Sequence, residues 1–206
     1  MSAFLGPIHY WLYRKIELQE KFVDKVVLLA EKEGINDLRK SLKEKYGEFD
    51  TRPLEEIIDG GNIHSWLQDK VSRSEYKLAI GVTTLLNKDS NNMRKLKEVF
   101  HQVGEEKASE FIGQEDLTLG AIYQAVADSL LDGMPCDRAV EIVEESDNEI
   151  IWKTVHCVHQ PYWDDVDGEI ENYYTLREAY LKGFAKELGV GFEVVGDKVY
   201  SIKITR

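Results

Sequence analysis

The sequence predicts an α+β fold: an N-terminal bundle of about five helices, then a four-stranded antiparallel sheet with one intervening helix. Three observations predict it. Up to about residue 132 the apolar residues recur at helical spacing. After it, β-branched and aromatic residues cluster in short runs split by turn signals. The 206 residues, 43% hydrophobic with only two cysteines, suffice for a core that needs no disulfide or structural metal. Residues 1–132 are therefore read as a helical part and 133–206 as an α+β part of one continuous globular unit.

Each element has its own signal. Pro7 suits a first helical position, and Leu5, His9, Leu12, Ile16, Val23, Val27 and Ala30 follow one face until Gly34. A shorter helix over 36–46 turns Leu38 and Leu42 inward. Pro53 and Gly60-Gly61 break the chain, and Asn62 is the expected N-cap of a helix carrying Ile63, Leu67, Val71, Leu78, Val82 and Leu85. An amphipathic stretch follows, with Met93, Leu96, Phe100, Val103 and Phe111 on one side, and 117–131 make the last helix of the first part. Beyond Met134, the runs AVEIVEES and DNEIIWKTVHCV read as a hairpin turned at Ser146-Asp147-Asn148. Residues 172–188 return to helix, with Tyr174, Leu176, Tyr180, Leu181 and Phe184 on its apolar side. The tail GFEVVGDKVYSIKIT is a second hairpin, its turn at Gly196-Asp197.

Charge and composition exclude several classes. With 26 basic and 38 acidic side chains the formal charge is −12, so no surface tracks phosphates and nucleic acid is not an expected partner. No window reaches about 18 uncharged apolar residues, which excludes a membrane-spanning helix. The start MSAFLGPIHYWLY lacks a basic leading segment and a small-residue exit, so it is not read as a signal peptide. Two cysteines, Cys136 and Cys157, fit free thiols in a reducing compartment, and the expected localisation is cytoplasmic.

A phrase recurs in the helical part. Ile8 to Ile16 reads IHYWLYRKI and Ile63 to Val71 reads IHSWLQDKV, an offset of 55 residues and a shared pattern I-H-x-W-L-x-x-K-[IV]. Both copies open a long helix, and the spacing places His9 and His64 on the buried stripe, near Trp11 and Trp66. A first-turn imidazole facing inward is pushed toward its neutral form, the one that ligates a metal. The plainer reading is a duplicated helix pair in which His and Trp only pack.

His156-Cys157-Val158-His159 is the densest set of ligating side chains, at the end of a predicted strand. A period of two puts Cys157 and His159 on one face and His156 on the other. Thiolate and imidazole suit zinc, iron or copper, and His9 or His64 would supply the missing ligand. The same cluster admits Cys157 as a nucleophile, with a base from another segment. It also admits a purely packed cysteine flanked by rim imidazoles. Two other features carry no site. The run WDDVDG fails the calcium-loop register, since Trp163 and Tyr174 fall where carboxylates belong. The Gly-rich phosphate cradles are missing altogether.

From about Gly133 onward, the order hairpin, Cys-bearing strand end, helix with Leu181-Lys182-Gly183-Phe184, and terminal hairpin resembles the 4-vinyl-reductase-like domains and the related aminothiazoline-carboxylate hydrolase-like family. The helical part resembles uncharacterised bacterial proteins. The resemblance covers about a third of the chain. It implies a ligand-binding fold related to heme-based nitric-oxide sensors, with a pocket between helices and sheet, and maps the family's cysteine after the second strand onto Cys157. Where the family often has a second cysteine in the helix, this chain has Tyr174 and Thr175.

The expectation is thus a small-molecule- or metal-binding protein whose pocket between helices and sheet is lined by Trp11, Trp66, Trp152 and histidines. Cys157, His159 and His156 would hold a transition metal (zinc or iron), or an imidazole would hold heme. One alternative is a Cys157-dependent hydrolase of a small C–N or C–S substrate. Another is a structural or regulatory homodimer that uses the apolar N-terminus as its interface.

Overall fold

A computed structural model describes residues 5–114 and 117–205, and helices precede the sheet as the sequence predicts. Residues 1–4 of the apolar start lie outside the described residues. The helical part comprises α1 (Pro7–Lys32), α2 (Leu38–Tyr46), the single turn α3 (Leu54–Ile57), α4 (Ile63–Lys88), α5 (Asn92–Ala108) and α6 (Leu119–Ser129). Then come β1 (Val140–Glu145), β2 (Glu149–Thr154), α7 (Gln160–Asp164), α8 (Ile170–Glu187), β3 (Val190–Gly196) and β4 (Val199–Ile204). Side-chain caps set two of the helix starts. Asn62 Oδ1 accepts from Ser65 N at 3.3 Å, and Thr118 Oγ1 accepts from Ala121 N at 3.2 Å, so that α6 starts two residues inside its expected boundary.

The repeated phrase corresponds to a parallel helix pair. Tyr13 meets Trp66, Glu20 meets Lys77 and Val26 packs into the space left by Gly81, so α1 and α4 run side by side in a register close to the offset of the repeat. Leu12 and Ile16 share one apolar cluster with Leu67 and Val71, the matching positions of the two phrases, and with Ile63. A larger cluster joins α1, α4, α5, α6 and α8 to β2 and β4, so the core crosses the boundary at residue 132.

All four strands pair antiparallel in the order β1-β2-β4-β3. Ile150, Trp152, Phe192, Tyr200 and Ile202 alternate onto the face that packs against α6 and α8. The opposite face carries the ion pairs Lys153–Glu141 and Lys203–Glu193. Helix α8 is held tightly to α5. A Cβ on Gly104 would stand 2.8 Å from Phe184 N and nearer still to Tyr180 O, and one on Gly183 would strike the carbonyl of His101. The two backbones therefore touch where both residues lack side chains.

Two details depart from the sequence reading. The sheet is interrupted by two helices, because Pro161 in the first turn and the fully buried Trp163 make 160–164 a short helix, α7, ahead of α8. Strand β2 also ends early, at Thr154. The chain leaves the sheet where the N–H groups of Val155 and His156 both turn to the carbonyl of Ala139. The alternating-face argument for Cys157 and His159 therefore does not apply to the folded chain. No helix among the described residues is long and apolar enough to cross a membrane.

Candidate functional site

Charged residues at core positions of the helices build the site. On α4, Glu75 stands four residues after Val71 and three before Leu78, so helical geometry drives its carboxylate inward. Arg177 occupies the same kind of position on α8, between Tyr173-Tyr174 and Tyr180-Leu181. The loop after α6 brings Asp132 between them, and the N-cap position of α7 adds His159. His159 Nδ1 lies 3.1 Å from each oxygen of Glu75, and both residues are about 1% exposed. On the other side of the ring, Nε2 faces Asp132 Oδ1 at 3.6 Å, an ion pair without a direct hydrogen bond. Arg177 donates to both oxygens of Asp132, at 2.6 and 3.1 Å. Tyr173 closes the array. Its ring lies over His159 with centroids 3.9 Å apart, and its hydroxyl accepts from Arg177 Nη1 at 3.3 Å.

These groups alternate in sign. Burial alone would push the His159 ring down, but the Glu75 carboxylate, joined by Asp132, outweighs it and raises the imidazole to about 9. Burial likewise works against the charge on Asp132, yet Arg177 and then His159 hold that carboxyl well below the usual range. Glu75, His159, Asp132 and Arg177 thus sum to zero charge inside the core.

A cavity of about 190 Å³ opens against one end of this array, between α1, α6, the loop over 130–139 and β2. Trp11, Tyr123 and Trp152 supply its flat walls, and Lys15, Asp132, Arg138 and Arg177 supply its charges. Lys15 is the unusual member. It is 5% exposed, and its ammonium lies 3.8 Å from the Trp11 ring centroid, one helical turn away. No carboxylate among the described residues comes within ion-pair distance of it. Burial, despite the attraction of Asp132, brings this amine down to about 8. Lys77, the other buried lysine, pairs with Glu20 at 2.9 Å. In addition, Arg177 Nε is buried without a hydrogen-bond partner.

No family model, curated protein or solved structure matches the chain.

The residues singled out in the sequence are distributed over several places. Trp11 and Trp152 do line the cavity, and Trp11 Nε1 donates to Asp128 at 2.7 Å. Trp66 packs on Tyr13 instead, with Lys70 over its ring in an echo of the Lys15–Trp11 contact. His9 is turned back to the start of α1, where its Nδ1 accepts from Gly6 N at 2.9 Å. His64 is exposed on the first turn of α4 rather than buried, because Ile63 and Leu67 take the inward positions. His156 is exposed, and it shares a second recess of about 250 Å³ with Cys157, Glu75 and Tyr162, while the Cys157 thiol lies beside Tyr174. Both nitrogens of His159 are directed at carboxylates, and a protonated ring has no lone pair for a metal. Among the described residues no three of His, Cys, Asp and Glu are grouped to hold a metal ion.

Lys15, Asp132, Arg177 and Glu75 did not figure as site residues in the sequence reading. For three the signal was available: Lys15, Glu75 and Arg177 are charged residues at a helical spacing that otherwise carries apolar ones, and Lys15 is the K of the repeated phrase, whereas Asp132 lies in a loop without such a pattern.

Proposed function

We propose that this chain binds a small anionic ligand with a flat, unsaturated body, in the cavity between α1 and the sheet. An aromatic carboxylate is the simplest representative. One observation carries the reading: Lys15 is buried at the cavity wall with no counter-ion among the described residues, in a chain whose net charge is −12. A lowering from 10.5 to about 8 corresponds to roughly 3 kcal/mol against the charged form. A cation over an indole face returns about 0.5–2 kcal/mol, which leaves the ammonium short of a partner. The lining carries Lys15, Arg138 and Arg177 against Asp132 alone, a local excess of two positive charges. A carboxylate entering there completes the pairing, while Trp11, Tyr123 and Trp152 stack on what is attached to it. The modest volume restricts the ligand to a small one.

Benzoate tests this by isothermal titration and by tryptophan fluorescence, since two of the four tryptophans line the cavity. Benzoate is expected to bind, and isosteric neutral benzamide is not. Affinity should fall about tenfold between pH 7 and pH 9 as Lys15 loses its proton. Lys15→Met should abolish binding. Equal binding of benzoate and benzamide, or unchanged affinity in Lys15→Met, would refute the reading.

A further inference from the structure

We infer that Lys15 is a carbonyl-capturing amine: its Nζ condenses with the keto carbon of a small 2-oxo acid whose carboxylate rests on the guanidiniums of the same cavity. The inference deepens the anion-binding reading and rests on it. The Lys15 amine on α1, which pairs with no carboxylate among the described residues, and the Arg177 guanidinium on α8 line one cavity, with the exposed Arg138 beside them. A 2-oxo acid presents an anion and an electrophilic carbon on adjacent atoms. Its carboxylate would pair with the positive lining that Arg138 and Arg177 supply, and its carbonyl is then offered to the amine. Lysines desolvated beside another cation are the ones that act as nucleophiles. At pH 7 about one Lys15 in ten is neutral, whereas an ordinary lysine is neutral about once in a few thousand.

In the condensation the nitrogen lone pair forms the C–N bond while the C=O π pair moves onto oxygen. That oxygen takes up a proton and the nitrogen loses one, giving a carbinolamine. Loss of the hydroxyl with a second proton, and of the remaining N–H proton, releases water and leaves the C=N bond. In sum, amine and ketone give imine and water, with no oxidant or reductant. Asp132 is no proton donor here, because Arg177 and His159 keep it ionised. The protons pass to and from solvent at the cavity mouth.

The test uses the intact protein with pyruvate and sodium cyanoborohydride, which reduces the imine to a stable secondary amine, followed by peptide mapping. We expect the adduct on Lys15, blocked by excess benzoate, rising between pH 7 and pH 8.5 as benzoate affinity falls, and missing from Lys77, which is buried against Glu20 away from this cavity. Lys15→Met should lose the protected adduct. An adduct confined to exposed lysines and indifferent to benzoate overturns the inference. If benzoate binds while Lys15 stays unmodified, the covalent step fails and the anion cavity stands. If benzoate does not bind either, both fail. The wild-type mapping needs no variant, so it decides even where Lys15→Met does not fold.

Discussion

The His159 pairings predict a loss of stability on the alkaline side, in a window set by that one ring. In the unfolded chain the imidazole titrates near 6.5, and in the folded chain near 9. A raised value means that the folded state holds the proton more tightly. The stabilisation is complete below about pH 6.5 and is lost as pH climbs through 9. The slope approaches about 1.4 kcal/mol per pH unit, and the whole effect is roughly 3 kcal/mol, undiminished by solvent because the ring is about 1% exposed. Lys15 acts in the opposite sense. Its value is lowered to about 8, so between about 8 and 10.5 the unfolded chain binds more protons and rising pH stabilises the fold. Above pH 8 the two effects therefore offset, and the clean window is pH 6.5 to 8. Urea midpoints at half-unit steps across pH 6–9 would be compared between the wild type and Glu75→Gln/His159→Gln, which removes the pair but keeps Lys15. The wild type should lose about 1.6 kcal/mol between pH 6.5 and 8 that the double variant keeps. Parallel profiles would show that His159 is not held as an imidazolium, and the charge alternation would be wrong.

Two further outcomes follow from the same geometry. Asp132→Asn removes the carboxylate shared by Arg177 and His159 and leaves a buried guanidinium unneutralised, so stability should fall by about 3–5 kcal/mol in urea denaturation. A loss under 1 kcal/mol would contradict the pairing. Gly183→Ala should lower the melting temperature despite a gain of about 1 kcal/mol in helix propensity, because overpacking against the α5 backbone costs about 1–3 kcal/mol or more. Gly120→Ala in α6, whose added Cβ meets nothing nearer than 3.9 Å, should have the opposite sign.

The order of elements was legible because apolar spacing and turn residues act locally. Asn62, Pro7 and the Ser146-Asp147-Asn148 turn stand where their short-range chemistry places them. The site was less legible for two physical reasons. A charged residue on an apolar stripe, such as Lys15 after Leu12 or Arg177 after Tyr174, breaks the pattern used to recognise the helix, so it passes as noise although it marks a buried charge. The partners also lie far apart in sequence: Glu75 and His159 are separated by 84 residues, and nothing near His159 announces a carboxylate. The ligand-rich run around Cys157 drew attention by proximity along the chain, but the early exit from β2 turned its side chains into different surroundings.

The two charged features of the core explain one another. Asp132 is the acid whose field Lys15 feels most strongly, and a direct pair between them would neutralise the cavity. Asp132 is already held by two nitrogens of Arg177 and faces the imidazolium of His159. Moving it toward Lys15 would exchange two charge-assisted hydrogen bonds for one and strand a guanidinium that is 4% exposed. Glu75 reinforces this by keeping His159 protonated, and so keeping a second cation on Asp132. The neutral array therefore fixes the carboxylate away from the amine. What remains at the wall is an ammonium over Trp11 with no acid of its own among the described residues, and that positive excess is the property a small anion would satisfy.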